Sequence, residues 1–347
     1  MPAPLDPRSI ARRRQPVALS ADSLVDSHPL PGGGILPLVV EPAAAGVSLP
    51  AWLEQHRDQL TGWLHRHGAI LFRGFGAAGQ DDFSRALTGL GLSLMNYIEK
   101  ATPRTELGGQ IYTATEFPAE YPIAPHNELS YVNIWPGRIV FFCVRPAPVG
   151  GETPLVDVRR VLARIDPAIV DRFRRQGWSL VRTFSPGIGP TWQHSYAVET
   201  REELETYLRE SHIAWEWLPD GRLRTRQVRP ATRRHPATGE ELWFNHVAFW
   251  HLSSLPDDIR DRFVADFGAG NLPYATYYGD GSPIPDAVAA ALRDAYDAET
   301  TMFPWQAGDF VVIDNMLVAH GRSTYSGPRQ VLVAMGDAIE MPTAVGA

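Results

Sequence analysis

The chain has 347 residues, of which 44% are hydrophobic and 20% are charged, and its net charge is -7. This length allows one large domain or two ordinary ones, and the hydrophobic fraction is enough for a substantial core. The moderate negative charge argues against a nucleic-acid or polyanion partner. A single cysteine, Cys143, excludes an intramolecular disulfide framework and a cysteine-rich zinc site.

Residues 1–30 predict a loose N-terminal arm, because they mix proline and arginine without periodicity. No long apolar segment follows the arginine run, so a secretion signal is not expected. No window approaches the roughly 20 apolar residues that a membrane span needs. We therefore expect a cytoplasmic protein with no membrane partner.

From residue 31 onward the sequence predicts a strand-rich chain with helices between the strands. Strands are predicted where β-branched or aromatic runs are bounded by Gly, Pro or Asn: ILPLVVEP, GAILFRGF, GRIVFFCVRPA, ETPLVDV, LWFNHVAFW, GDFVVIDNML and RQVLVAMGDAI. Amphipathic helices are predicted at SLPAWLEQHRDQLTGWLHRHG, RRVLARIDPAIVDRFRRQG, REELETYLRESH, LPDDIRDRFVADFG and PDAVAAALRDAYDAE. Because strands and helices do not alternate regularly, a β-core with helical insertions is favoured over a doubly wound sheet. No convincing linker interrupts 31–347, which predicts a single domain.

The stretch YPIAPHNELSY, 121–131, contains His126 and Glu128 one residue apart. If 125–131 is extended, the two side chains project to the same face and form a chelating pair. Two histidines and one carboxylate make the facial triad of non-haem Fe(II) oxygenases. The short motif alone is weak, and a surface strand or turn would explain it equally well.

A second histidine at the end of a predicted strand strengthens this hypothesis. The segment AGDFVVIDNMLVAHGRSTYSGPRQVLVAMGD places His320 after a buried strand and Arg329 at the start of the next strand. His320 could be the third ligand, and the Arg329 guanidinium could bind an acidic co-substrate through two contacts.

These motifs resemble the taurine-dioxygenase-like (TauD/TfdA) family of Fe(II)/2-oxoglutarate oxygenases, from GAILFRGF near residue 68 to MGDAI near 339. The resemblance implies that His126, Glu128 and His320 bind Fe(II). It also implies that 2-oxoglutarate is held by Arg329 and by Thr153, the threonine of GGETPLVD, which lies 27 positions after His126 (153 minus 126).

Two features depart from the pattern of the wider family. Many members have Asp where this chain has Glu128, although Glu is also found in related amino-acid oxygenases. The co-substrate arginine usually lies about ten to fourteen positions after the second histidine, whereas Arg329 lies 9 positions after His320 (329 minus 320). Arg322, in HGR, is closer still, so Arg329 is the preferred candidate.

The resemblance implies a mainly β fold with α additions (α+β), a distorted double-stranded β-helix of the jelly-roll, cupin-like and clavaminate synthase-like type. Helices would flank it, and a helical insertion at about 159–305 would cover the site. The implied cofactors are Fe(II), 2-oxoglutarate as co-substrate and O2, with succinate and CO2 as co-products. Because a carboxylate ligand is present, hydroxylation of an unactivated C–H bond is expected rather than halogenation; the iron centre itself is the catalytic group.

The substrate is inferred from a narrower resemblance and from weaker signals. ATPRTELGGQIYTATEFPAEYPIAPHNE, GRLRTRQVRPA and HPATGEELWFNHVAFWH are similar to the syringomycin-pathway aspartyl hydroxylase (SyrP-like) group of natural-product biosynthesis. This similarity implies an amino acid or amino-acid-derived substrate, free or bound to a peptidyl carrier protein. Polar or amphipathic side chains expected near the pocket mouth are Arg104, Trp192, Gln193 and Asn245.

Several alternatives remain open at this point. Desaturation or cyclisation would use the same iron centre, and a non-catalytic jelly-roll sensor of small molecules would keep the pocket. His246 and His251 lack a zinc-binding pattern and are expected to have structural roles. The basic clusters RFRRQ and TRRHP predict solvated faces or, at most, a docking surface for an acidic carrier protein. The oligomeric state is not predicted.

Overall fold

The computed structural model describes residues 24–31, 34–95, 99, 105–115, 117–187, 189–268 and 270–340. The predicted arm, 1–30, therefore lies mostly outside the described residues. Within its described part, Val25–Pro29 pairs antiparallel with Leu38–Pro42. These backbone hydrogen bonds tie residues 25–29 to a sheet, so the predicted boundary at residue 30 is placed too late.

Helices in the described part of the chain begin and end mostly near proline, glycine or capping side chains. They are α1 (Leu49–Gln55), α2 (Arg57–His67), α3 (Gln80–Leu90), α4 (Val158–Arg164), α5 (Pro167–Gln176), α6 (Trp192–Tyr196), α7 (Arg201–Glu210), α8 (Asp257–Phe267) and α9 (Asp286–Ala298). Two predicted helices are each split in two. His56 separates α1 from α2, and Asp166 caps α5, whose first residue, Pro167, lacks the N–H needed to continue α4.

Most strands of the described residues are short, and the last of them ends at Glu340. They are β1 (Val25–Pro29), β2 (Leu38–Pro42), β3 (Ala69–Phe72), β4 (Glu106–Gly108), β5 (Ile111–Thr113), β6 (Ile123–His126), β7 (Ile134–Arg145), β8 (Val149–Gly150), β9 (Leu155–Asp157), β10 (Trp178–Phe184), β11 (Ala214–Trp217), β12 (Leu223–Arg229), β13 (Thr232–Arg234), β14 (Glu241–Trp243), β15 (Tyr274–Tyr278), β16 (Thr300–Thr301), β17 (Phe310–Asp314), β18 (Val318–Arg322), β19 (Tyr325–Ser326) and β20 (Gln330–Glu340). The predicted strand at 242–250 is wrong beyond Trp243, because the chain turns there instead of finding a further strand partner.

Two sheets that share a core position the site. The larger has the order β1-β2-β3-β17-β7-β20-β5-β4, and the smaller has the order β16-β9-β18-β6. In β7, Ile139 and Phe141 belong to the same buried cluster as Val156 of β9 and Ala319 of β18. Because alternate residues of a strand point to opposite faces, this pattern places the smaller sheet against one face of the larger one.

The other face of the larger sheet is covered by the N-terminal helices. Val140 and Phe142 of β7 are buried in a second cluster with Leu53 of α1 and Phe83 of α3. The rings of Phe83 and Phe142 stack with centroids 5.4 Å apart. The continuous apolar run RIVFFCV is explained by this arrangement, since both faces of β7 are buried.

The chain between β9 and β16, which spans most of the segment predicted as an insertion, contains a further sheet in addition to helices. Its strand order is β11-β12-β10-β15. The expectation of a helical insertion is therefore corrected: strands that pair with one another make up a large part of this segment. None of the described helices combines the length and the apolar character that crossing a membrane requires.

Candidate metal centre

Two histidines face each other across paired strands. In the antiparallel pair β6 and β18, His320 lies opposite His126, and the two ring centroids are 4.8 Å apart. The register shifts immediately after His320, at Gly321. A Cβ atom at this glycine would lie 2.5 Å from the carbonyl oxygen of Ile123, so only glycine permits the close approach of β6.

The Glu128 carboxylate joins the two histidines from a turn. His320 Nε2 and Glu128 Oε2 are 3.9 Å apart, and the possible ligand atoms of His126, Glu128 and His320 all lie within 4.8 Å of one another. The condition that 125–131 is extended is not met, because β6 ends at His126 and Leu129 has a positive φ of 56°. The turn, rather than strand alternation, brings the carboxylate beside the imidazoles.

A buried asparagine after β17 holds this turn in place. Asn315 accepts a hydrogen bond from Glu128 N (2.8 Å) and donates to the carbonyl oxygens of Glu128 and Pro136 (2.9 Å each). The backbone carbonyl oxygen of Asn315 accepts a hydrogen bond from Asn127 Nδ2 at 2.7 Å. Sequence reasoning missed Asn315; the signal was an asparagine directly after the buried strand FVVID.

The three side chains suit a divalent first-row metal. His126 Nδ1 lies 2.9 Å from the carbonyl oxygen of Ala124, which can only accept, so Nδ1 carries the proton and Nε2 keeps a lone pair. Two imidazoles and one carboxylate on one side of a metal leave positions for other ligands. His320 and Glu128 are buried, which favours a site with few competing waters.

A narrow cavity of about 30 Å³ lies beside this cluster, and His126, Thr153, His320, Arg322 and Arg329 are among its lining residues. Its volume corresponds to two or three water molecules, which is about the size of one carboxylate group. Thr153 is buried, and its Oγ1 accepts a hydrogen bond from Trp305 Nε1 at 3.1 Å. Trp305 therefore fixes the orientation of the Thr153 hydroxyl.

Arg329 is a partly buried cation that lines this narrow cavity. Its Nε donates to the carbonyl oxygen of Gly151 at 3.0 Å, and no ion pair joins it to a carboxylate of the described residues. Burial lowers the pKa of Arg329, and the nearby Arg322 lowers it further. An arginine nevertheless stays charged, so an anionic ligand would relieve this unfavourable burial.

Arg322, the less favoured co-substrate candidate, is already engaged by the chain. It donates to the carbonyl oxygens of Phe117 (2.8 Å), Pro118 (2.7 Å) and Tyr121 (2.8 Å). These bonds use both terminal nitrogens of the guanidinium to hold the loop that precedes β6. Arg329 is therefore the better placed of the two arginines for a bound carboxylate.

A larger cavity of about 380 Å³ is also lined by two of the predicted ligands, His126 and Glu128. It shares Thr115, Ile123 and His126 with the narrow cavity, so the two meet at the candidate metal centre. This volume lies within the roughly 300–1,000 Å³ typical of small-molecule sites. The larger cavity is thus the candidate substrate pocket.

Three of the four residues predicted to contact substrate are described by the structure, and these three do not line the larger cavity. Arg104 is outside the described residues. Trp192 packs against Trp217 in a separate apolar cluster, and Gln193 is on the same short helix, α6; neither lines the cavity. Asn245 is buried, and its side-chain amide donates to Ala231 O (2.8 Å) and accepts from Val247 N (3.0 Å). The expected substrate contact is therefore not supported.

His246, expected to be structural, lines the larger cavity instead of its neighbour Asn245. Its Nδ1 lies 2.6 Å from Ser130 Oγ, and its ring is 5.5 Å from that of His126. Burial lowers the pKa of His246 well below its ordinary value, which keeps the ring neutral. His251, by contrast, bonds to Ser253 and to Ile284 O, as a structural residue would.

A second cluster, His65, His235 and Asp314, also brings possible ligand atoms within 4.8 Å of one another. Its hydrogen bonds argue against a metal. His235 Nδ1 accepts from the backbone N–H groups of Ala237 and Thr238, so Nε2 carries the proton and donates to Asp314 Oδ2 at 3.1 Å. Both ring nitrogens are used within the fold, and this cluster is structural.

The basic clusters are largely paired within the chain. Arg174 forms ion pairs with Glu241 and Asp171, and Arg172 lies over the ring of Tyr278. Arg234 donates to Gly239 O, and Arg233 is buried. Among the described contacts of these clusters, Arg174 is therefore neutralised by acidic residues of the chain itself, whereas Arg172 and Arg234 contact neutral groups.

Comparison of the sequence with known proteins gives clear matches. The family model described as "Taurine catabolism dioxygenase TauD, TfdA family" matches residues 27–335. The chain is 38% identical to the dapdiamide synthesis protein DdaC of Enterobacter agglomerans over 313 residues, 90% of this chain and 94% of that protein. It is 30% identical to a clavaminate synthase-like protein of Arabidopsis thaliana over 320 residues, 86% of this chain and 93% of that protein.

Solved structures give the same fold at low sequence identity. The PvcB protein of Pseudomonas aeruginosa superposes with a TM-score of 0.55 and 18% identity, covering 92% of this chain and 93% of PvcB. Another structure of PvcB, described as an Fe, alpha-ketoglutarate dependent oxygenase from an isonitrile synthetic pathway, gives 0.55 and 19%, covering 93% and 96% of the two chains. The predicted mainly β, α+β fold of the double-stranded β-helix type is thereby confirmed.

Proposed function

The chain belongs to the TauD/TfdA dioxygenase family, and from this membership we propose that it hydroxylates an unactivated C–H bond of an amino acid or amino-acid-derived small molecule. It is a non-haem dioxygenase that uses Fe(II), 2-oxoglutarate and O2. One observation supports the proposed site most strongly: the possible ligand atoms of His126, Glu128 and His320 cluster where two cavities adjoin.

In this proposal each side chain has a defined task. His126, Glu128 and His320 hold Fe(II) through two imidazole nitrogens and one carboxylate oxygen. Arg329 and Thr153 would bind the far carboxylate of 2-oxoglutarate in the narrow cavity, where the partly buried guanidinium can make charge-assisted hydrogen bonds. His126, which lines both cavities, would then be near the keto-acid end of the co-substrate.

Bound Fe(II) supplies the redox chemistry, in which O2 oxidises 2-oxoglutarate to succinate and CO2 and one oxygen atom is transferred to the substrate. The chain itself contributes positioning: Trp305 orients Thr153, Asn315 holds the backbone of Glu128, and the hydrogen bond at His126 Nδ1 fixes its tautomer. No separate acid or base is assigned. The larger cavity would hold the substrate beside the metal and exclude bulk water.

The relatives favour a role in natural-product biosynthesis. DdaC is named for dapdiamide synthesis, and one PvcB structure is described as coming from an isonitrile synthetic pathway. The substrate could be free or bound to a peptidyl carrier protein, and the similarity to the SyrP-like group supports the second possibility as a proposal. The cytoplasmic location stays a prediction from the sequence.

The proposed ligands are tested by His126→Ala, Glu128→Ala and His320→Ala. We expect each variant to lose the weak visible charge-transfer band that Fe(II) and 2-oxoglutarate give under anaerobic conditions, and substrate-dependent succinate formation to fall at least 100-fold. His251→Ala, which changes a histidine outside both cavities, is the matched control and should keep the band. Wild-type band and turnover in all three ligand variants would refute the assignment.

Product analysis decides the reaction outcome. Hydroxylation adds 16 mass units to the substrate, whereas desaturation or cyclisation removes two hydrogens, and both would form succinate. If the product lacks the added oxygen and one succinate is formed per product molecule, the reaction at the iron centre is desaturation or cyclisation and not hydroxylation. The non-catalytic sensor is set aside, because the chain belongs to a dioxygenase family.

A further inference from the structure

Aromatic rings dominate the larger cavity. Its described lining includes Phe117, Tyr131, Phe249, Trp250 and Tyr274. The Trp250 ring stacks on Tyr274 with centroids 4.9 Å apart and an interplanar angle of 14°. Tyr131 packs edge-on against Trp250 at 4.7 Å. These contacts make a continuous aromatic wall, whose rings hold one another in place.

Among the described lining residues of this cavity, the charged or metal-binding side chains lie together at the candidate metal centre. Apart from the proposed ligands His126 and Glu128, the polar side chains of its described lining are Thr115, His246, Ser254 and the two tyrosines, and none of these carries a formal charge as an acid or an arginine or lysine would. A charged substrate group placed against the aromatic wall would lose its hydration without gaining a partner of opposite charge. Such burial is strongly unfavourable unless the charge is paired.

The cavity mouth is marked by Phe117, which lines the cavity and is 43% exposed. Its ring lies 6.1 Å from that of Tyr121, which is also exposed. Arg322 holds the backbone of both residues, so this aromatic pair has a fixed place at the entrance. Among the described lining residues, a substrate that enters here meets mainly aromatic and apolar side chains before it reaches the metal ligands.

We propose that the substrate presents an uncharged, aromatic or similarly apolar side group to the metal, held against the wall formed by Tyr131, Trp250 and Tyr274. This inference rests on the proposed function and specifies its substrate class. The α-amino and α-carboxyl groups of an amino-acid substrate then lie towards the mouth or are masked by amide or thioester linkage. Apolar burial and ring stacking provide the selectivity.

Binding can be measured without turnover, using isothermal titration calorimetry of the Fe(II) and 2-oxoglutarate-loaded protein under nitrogen. The probes are the N-acetyl amides of phenylalanine, lysine and aspartate, which share a neutral backbone and differ in the charge of the side chain. We expect the phenylalanine amide to bind at least tenfold more tightly than either charged probe. Equal binding, tighter binding of a charged probe, or no binding of the phenylalanine amide would overturn the proposal.

Two variants locate the binding. Trp250→Ala should weaken binding of the phenylalanine amide about tenfold, whereas Trp63→Ala should not; Trp63 is also partly buried and stacked on another ring, but lies on α2. Leu255→Glu adds a carboxylate to the partly exposed lining and should weaken the phenylalanine probe while strengthening the lysine probe. If Trp250→Ala does not fold, the Leu255→Glu result decides alone; unchanged selectivity there would overturn the proposal.

The charge-transfer band separates this inference from the proposed function. Trp250→Ala and Leu255→Glu should keep the band of bound Fe(II) and 2-oxoglutarate, since neither residue touches the narrow cavity. A wild-type protein that lacks the band would refute the proposed metal centre. A wild-type protein that has the band but prefers a charged probe would refute only the substrate class.

Discussion

At the scale of single residues, Asn315 determines where the Glu128 carboxylate lies. Its side chain bonds to the Glu128 backbone on both the N–H and the carbonyl sides and also to Pro136 O. Glu128 is in a turn with a positive φ at the next residue, so a strand cannot hold it. Partners that orient metal ligands commonly influence metal affinity about 10- to 100-fold.

Asn315→Ala should therefore weaken Fe(II) binding at least tenfold although all three proposed ligands remain. It should also lower the free energy of unfolding by about 3 kcal/mol, because buried backbone groups lose their partners at a cost of about 1–3 kcal/mol each. Anaerobic metal titration and urea unfolding measure the two effects.

Asn245→Ala is the matched control for Asn315→Ala. Asn245 is also a buried asparagine that bonds to backbone groups, but it lines neither cavity. It should destabilise the protein and leave Fe(II) affinity within about twofold of wild type. Equal loss of Fe(II) affinity in both variants would show that general destabilisation, and not the position of Glu128, is responsible.

At the scale of elements, an ion-paired glutamate connects α4 to the C-terminal end of α9. The Glu299 side chain, at the C-terminal end of α9, is 6% exposed and pairs with Arg160 and Arg164 of α4, whose side chains are 57% and 49% exposed. Burial alone would raise the pKa of Glu299, but the hydrogen bonds from the two arginines outweigh it, and the pKa is lowered below the ordinary 4.5. The junction supports β16 and, through it, β9 of the smaller sheet.

This junction predicts an acid-sensitive contribution to stability. Since the folded-state pKa of Glu299 is lowered, its contribution is complete above the unfolded pKa of about 4.5 and is lost as the pH falls through the folded value. Glu299→Gln should cost about 1 kcal/mol at pH 7, a modest value because the arginines are solvent-screened. Thermal unfolding from pH 7 to 3 should show the difference shrinking below about pH 4.5; a constant difference would contradict the prediction.

At the scale of the whole molecule, the site joins both sheets, so its ligands should stabilise the entire fold. β6 and β18 of the smaller sheet provide the two histidines, and β20 of the larger sheet follows directly after Arg329. A ligand that binds only the folded state stabilises it according to its free concentration relative to Kd.

Fe(II) and 2-oxoglutarate should each raise the free energy of unfolding, by about 2.7 kcal/mol at 100 times Kd. Scanning calorimetry under nitrogen measures this effect. Arg329→Gln should lose the 2-oxoglutarate contribution and keep most of the Fe(II) contribution, whereas His320→Ala should lose both. If 2-oxoglutarate stabilises Arg329→Gln as much as wild type, Arg329 does not bind it.

The sequence alone determined the chemistry of the proposed centre and the strands that are buried on both faces. The assignment of His126, Glu128, His320 and the GGETPLVD segment required no coordinates, because the family resemblance connects short motifs that are each readable in the sequence. The run RIVFFCV likewise predicted β7, since β-branched and aromatic residues in a short apolar run are typical of a buried strand.

Only the tertiary structure decided how the centre is assembled and what lines its pocket. Residues far apart in the sequence pair to set His320 opposite His126 and to hydrogen-bond Asn315 to Glu128. The position of His246 in the cavity likewise depends on such distant contacts. Strands of three to seven residues in the chain between β9 and β16 carry little pattern of their own and are stabilised by their partners. Sequence patterns report which face of an element is apolar, whereas the packing of distant elements determines which side chains meet.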